Sequence, residues 1–178
     1  SFAVVEEGLE HQFDMPAVDG PDGIPSETEL RQKVAPMIPE KIRDAFARER
    51  PIEIRPINPV NPFAPVKQEA KRFHWMRAQS RLPDDPFLHQ CILAFASDFA
   101  LMGTAMLPHG VSFMQNNMQA ASIDHAMWFH RPFRMDEWLL YEMDAPNASS
   151  SRGMNRGLVY AQDGRLVAST AQQGLMRL

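Results

Sequence analysis

An α+β fold, in which an antiparallel sheet curls around one buried helix, is what this sequence predicts. Three observations carry the prediction. Residues 87–107, "FLHQCILAFASDFALMGTAML", are apolar on nearly all sides, the pattern of a helix buried all round. Downstream of it the hydrophobic period changes to two, the period of strands. Asp163-Gly164 then separates two such runs, a strong hairpin signal.

Before that helix the chain is rich in proline: 12 of its 15 prolines lie in residues 1–86. Residues 9–70 read as a linker with short helices. Ser26 and Glu29 in "PSETEL" match a capping box. Pro36 and Pro39 interrupt the helix that follows, and helical spacing resumes in "EKIRDAFARER". "RPIEIRPINPVNPFAP" holds too much proline for a helix or a central strand. It reads as an extended arm lying on a surface. "KRFHWMRAQS" alternates and reads as a strand. "LPDDPF" breaks it and offers Asp84 or Asp85 as the cap of the buried helix, whose end Gly103 and Pro108 bracket. "QAASIDHAMWFHRPF" reads as one strand stopped at Pro132, and "EWLLYEMDAP" as the next. "SRGMNRGLVYAQDGRLVASTAQQGLMRL" reads as the last two. The opening "SFAVV" reads either as the end of a strand whose partners lie upstream or as an ordinary edge strand.

Composition narrows the function classes. The 178 residues suffice for one domain with a real core. A formal net charge of −4 gives no bulk attraction for nucleic acid or an anionic membrane. The single cysteine, Cys91, excludes an internal disulfide and favours a reducing compartment, with the cytoplasm as default. No run of 18 consecutive apolar residues occurs, so no membrane span is expected.

Asp98 is the first candidate for chemistry. It is the only Lys, Arg, Asp or Glu between residues 86 and 123, and an acid in a buried helix is costly unless something uses it. The alternative is a carboxylate at one wet edge of the helix. His125 and His130 are an odd number apart, so a continuous strand puts them on opposite faces and they do not share a metal. Ser122 and His125 are separated by the same alternation, and no G-x-S-x-G elbow surrounds Ser122. On such a strand Ser122, Asp124, Ala126, Trp128 and His130 share one face, while Ile123, His125, Met127 and Phe129 share the other, core-like face. The histidines read as structural. Arg152 and Arg156 share a strand face and offer two guanidinium groups to a phosphate, or form a solvated face. Gln172, late in the last strand, carries no signal of its own.

"LAFASDFALM", "ASIDHAMWFHRPFRMDEWLLYE" and "GRLVASTAQQGLMR" together resemble the C-terminal half of the acyl-CoA thioesterase II family, double-hotdog enzymes. The resemblance extends upstream through "MPAVDGPDGIPSETEL" and "RPIEIRP". It implies a hotdog fold over residues 71–178, the end of a preceding hotdog domain over residues 1–8, and hydrolysis of acyl-CoA to a free acid and CoA. It implies no metal and no other cofactor. Its catalytic positions fall on Asp98, Ser122 and Gln172, with Ser122 standing where some members have Thr. It further implies an apolar channel for the acyl tail, and a second hotdog domain as partner, from the same precursor or from another copy. Two alternatives stay open: an inactive acyl-binding or dimerisation half, and another hotdog enzyme such as a hydratase or dehydratase.

Overall fold

A computed structural model describes residues 6–178. The "SFAVV" stretch lies outside the described residues. Helix α1 spans Glu27–Val34, followed by a 3₁₀ turn, Ala35–Met37, and helix α2, Glu40–Ala47. The capping box forms: Glu29 N donates to Ser26 Oγ (3.1 Å), and Ser26 N donates to Glu29 Oε2 (2.7 Å). Strands β1 (Ile52–Pro56) and β2 (Lys71–Ala78) precede helix α3 (Pro86–Leu101), which two 3₁₀ turns continue to His109. Strands β3 (Gln119–Ser122), β4 (Ala126–Phe129), β5 (Leu139–Ser149), β6 (Arg152–Ala161) and β7 (Leu166–Arg177) complete the chain.

All pairings among the described strands are antiparallel, in the order β1-β2-β5-β6-β7-β3, with β4 also on β7. The sheet curls around α3, which is the hotdog architecture. Leu93 and Leu101 of α3 pack on Met76, Leu139, Met143 and Val159 of the inner sheet face, all at most 1 % exposed. On the outer face Trp75, Leu140 and Tyr160 are covered by Met15, Val18 and Ile24 of the proline-rich segment. Trp75 Nε1 pins that segment by donating to Asp19 O (2.8 Å), and Gln12 bridges Gly164 O and Leu166 N. The linker is therefore a cover for the sheet.

Four expectations need revision. The "RPIEIRP" stretch is not a loose arm. Its residues 52–56 are the edge strand β1, with Ile52 and Ile54 buried in the core; prolines are tolerated there because an edge leaves N–H positions unpaired. Helix α3 is not buried all round. The sheet covers one side only, and Phe87, Cys91, Phe95, Asp98 and Phe99 lie on the open side. The helical stretch Pro86–His109 is long and apolar enough to cross a bilayer, but half of its most apolar window is buried within the domain. The hairpin at Asp163-Gly164 closes with three residues rather than two: Gly164 N donates to Ala161 O, Ala161 N to Arg165 O, and Gly164 takes φ +89°. Finally, residues 119–133 are not one strand but two, β3 and β4, with a break at 123–125.

That break is a one-residue bulge. Ser122 pairs with Gly174 and Ala126 with Ala171, so three residues of one strand oppose two of β7. Ile123 N and Asp124 N both donate to Gln173 O, while Gln173 N donates to Asp124 Oδ1 (2.7 Å). An extra residue inverts side-chain parity beyond it. Before the bulge the even positions face α3; after it the odd ones do.

Candidate active site

Three elements meet at Asp98. The residue sits on the fourth turn of α3, whose start is fixed by Asp85 accepting from Phe87 N (3.0 Å). Its carboxylate is exposed rather than buried, because it lies where the helix turns from the sheet toward the open side. Ser122, the last residue of β3, donates from Oγ to Asp98 Oδ1 (3.3 Å). Gln172 of β7 donates to the same oxygen from Nε2. Gln172 is fully buried on the inner sheet face, beside its register partner Asn155 on β6. The three residues named by the resemblance, from α3, β3 and β7, are thus brought onto one carboxylate oxygen.

The bulge adds a fourth residue that strand alternation had excluded. His125 Nδ1 lies 3.1 Å from Gln172 Nε2, and His125 Nε2 lies 2.9 Å from Ser97 Oγ. Ser97 Oγ in turn donates to Ala94 O (2.9 Å). Ser122 and His125 both face α3 because the extra residue between them inverts the parity. The only sequence signal for this was Asp124, an acid in mid-strand able to replace a ladder carbonyl.

The other singled-out residues lie elsewhere. His130 Nε2 meets Ser169 Oγ (2.8 Å) on the outer face. Arg152 and Arg156 do share a strand face, but it is opposite to that of Gln172. Arg156 is held there by Asp144 through two contacts, 2.9 and 2.6 Å. His89, which no sequence motif marks, lies on the face of α3 opposite Asp98, is buried and accepts from Met135 N (3.0 Å) through Nδ1. Among the described residues no cluster of His, Cys, Asp or Glu is arranged for a metal.

A groove of about 450 Å³ opens between α3, at Ile92 and Phe95, and the ends of β1 and β2. Ile52, Ala78, Leu82, Ile92 and Phe95 give it an apolar lining, and Arg50 stands at it with its guanidinium 5.7 Å over the Phe99 ring. Chemically, the assembly offers a solvent-open carboxylate with one oxygen clamped by two donors and the other without a hydrogen-bond partner among the described residues; the apolar groove reaches the same helix one turn earlier, at Phe95.

The comparisons with known proteins bear on the fold and the family. An acyl-CoA thioesterase from Haemophilus influenzae, "Acyl-CoA thioesterase 2", is 42 % identical over 99 % of this chain. The human "Acyl-coenzyme A thioesterase 8" is 39 % identical over 96 % of it. The chain spans 62 % of the first relative's length and 55 % of the second's. In three dimensions it matches an acyl-CoA thioesterase II of Mycobacterium marinum with a TM-score of 0.73 at 35 % identity, over 97 % of this chain and 59 % of that one. A hot dog fold protein from Alicyclobacillus acidocaldarius matches with a TM-score of 0.67 at 22 % identity, over 97 % of this chain and 58 % of that one, which bears on the fold alone. The family model for acyl-CoA thioesterases covers residues 41–175, from α2 through β7 and so across every residue of the site. With that coverage, the chain belongs to the acyl-CoA thioesterase family.

Proposed function

We propose that the chain hydrolyses the thioester of acyl-CoA to a free acid and CoA, with Asp98 as general base. The observation that carries this reading is the convergence of Ser122 and Gln172 on a single oxygen of a solvent-open carboxylate. Family membership supports it independently. Two donors fix Asp98 Oδ1, so Oδ2 is the oxygen left to take a proton. A water loses that proton to Asp98 as its oxygen attacks the thioester carbon. The C–O bond forms, the tetrahedral intermediate collapses, and the C–S bond breaks with its electron pair leaving on sulfur. The proton held by Asp98 passes to the departing thiolate. Both N–H groups of Gln172 are engaged, one by Asp98 and one by His125, so stabilisation of the oxyanion falls to a backbone N–H. Thiolate is a good leaving group, and no covalent acyl-enzyme is required.

The acyl tail is assigned to the apolar groove lined by Ile52, Leu82, Ile92 and Phe95. A second hotdog domain is the proposed partner. The chain spans less than two thirds of its relatives, and the open side of α3 beside Asp98 carries Phe87 and Phe95 at 66 % and 61 % exposure.

The deciding experiment follows CoA release from a ladder of saturated acyl-CoA lengths. The wild-type chain is expected to show a length optimum. Asp98→Asn is expected to lose about 10²- to 10⁴-fold in kcat, the range for a general base, with an unchanged Tm, since its side chain is exposed. No hydrolysis by the wild type, or undiminished turnover by D98N, overturns the reading.

A further inference from the structure

We propose that His125 is a positioning residue for this reaction, acting through Gln172. The inference rests on the reading that Asp98 and Gln172 carry the chemistry. The geometry behind it is a circuit of hydrogen bonds that leaves α3 at Ser97 and returns to it at the next residue, Asp98. Ser97 Oγ donates to Ala94 O. A hydroxyl has one hydrogen, so Ser97 Oγ meets His125 Nε2 as acceptor, and that nitrogen carries the imidazole hydrogen. Nδ1 of the same neutral ring is then a bare acceptor, turned to Gln172 Nε2. An amide nitrogen only donates, so the two assignments agree. The remaining N–H of Gln172 goes to Asp98 Oδ1, which only accepts. Every donor in the circuit meets an acceptor, and no other tautomer or amide orientation achieves this.

The consequence is a fixed amide. Without the His125 acceptor the Gln172 side chain would keep one hydrogen bond, to Asp98, and would be free to rotate about its last torsion. Its Oε1 is buried with no partner among the described residues, so a rotated amide that satisfied Oε1 would take the N–H from Asp98. Asp98 would then be held by Ser122 alone, at 3.3 Å. His125 therefore orients the base without touching the substrate.

Two substitutions separate this role from simple anchoring of the strand to the helix. Asparagine places an amide oxygen where Nδ1 stands, keeping the acceptor for Gln172 and losing the contact with Ser97. Glutamine reaches the Nε2 position, keeping the contact with Ser97 and losing the acceptor. His125→Asn is expected to keep a kcat about tenfold above that of His125→Gln, the size of effect one well-made hydrogen bond produces, with KM alike in both. In the wild type, ¹⁵N resonances of the imidazole are expected to show hydrogen on Nε2 and none on Nδ1. H125Q equal to or faster than H125N, or hydrogen found on Nδ1, overturns the proposal. The reading it rests on fails by a different result, full activity in D98N, and the imidazole measurement needs no turnover at all.

Discussion

Gly157 faces α3 from the middle of β6, and a β-carbon there would press into the Tyr141 ring and lie 2.6 Å from Thr170 Oγ1. Those two neighbours are tied together: Tyr141 OH donates to Ser97 O (3.1 Å) and meets Thr170 Oγ1 (2.8 Å). Burial pushes the Tyr141 phenol above its usual pKa, so the hydroxyl stays a donor over the working range. The sheet thus grips the helix at Ser97, the residue before Asp98. Gly157→Ala is expected to destabilise the fold by about 1–3 kcal/mol through overpacking, several degrees in Tm for a chain of this size. It should also lower turnover, because Tyr141 can yield only by moving Ser97 and with it His125. Thermal unfolding and CoA release check the two effects, and an unchanged Tm would show that the ring has room to shift. At this scale the sequence was unevenly legible. Asp98 stood out because a lone acid in an apolar helix breaks a pattern. Gln172 did not, because an amide on a strand breaks none, and only the family resemblance named it.

Between β4 and β5 a short loop holds the start of α3 to the sheet, and its lock is ionic. Arg134 donates to both oxygens of Asp136 at 2.9 Å and to Leu82 O at 2.8 Å, while Leu82 N donates to Asp136 Oδ2 at 2.8 Å. Between them Met135 N reaches His89 and Met135 O accepts from Ala78 N. The hydrogen bonds from Arg134 hold the Asp136 carboxyl well below the usual carboxylate range. A carboxyl whose pKa is lower folded than unfolded contributes stability above its unfolded value, and loses it as pH falls toward the folded one. Asp136→Asn is therefore expected to have a lower Tm than wild type at pH 7. The gap should narrow as pH falls below about 4, the ordinary value for aspartate. A gap independent of pH would mean that Asp136 acts by shape and not by charge. The other informative element is the β3–β4 bulge. Alternation holds on each side of it separately: Ala120 and Ser122 face α3 before, and His125, Met127 and Phe129 after. What period two does not report is a phase change. Here a side-chain carboxylate, Asp124, substitutes for a strand carbonyl, and a single residue of insertion puts Ser122 and His125 on the same face.

At the scale of the whole molecule, the order of elements and the curl of the sheet around α3 were legible because burial on one face forces a period. Edge strand β1 was missed, since proline argues equally for an arm and for an edge. Helix α3 is the more instructive element. Its apolar residues run around the whole circumference, but the sheet buries only Leu93, Ala96, Leu101 and their neighbours. Phe87, Phe95 and Phe99 remain 66 %, 61 % and 37 % exposed, on the same side as Asp98. A helix patterned for burial all round and covered on one side has a second surface still to be matched. Contiguous exposed aromatics of this kind mark association sites. For this chain on its own, the expected occupant is a second copy, standing where the proposed partner domain would sit. Sedimentation is expected to show a species at least twice the 20.2 kDa of the monomer. Phe95→Ser, which removes a ring stacked edge-on at 4.8 Å against Phe99, is expected to shift it toward the monomer. Activity should fall as association is lost, because the separated surface includes the open side of α3 that carries Asp98 and because Phe95 also lines the groove assigned to the acyl tail. A monomeric wild-type chain that remains stable and fully active would show that the open face of α3 is not an interface.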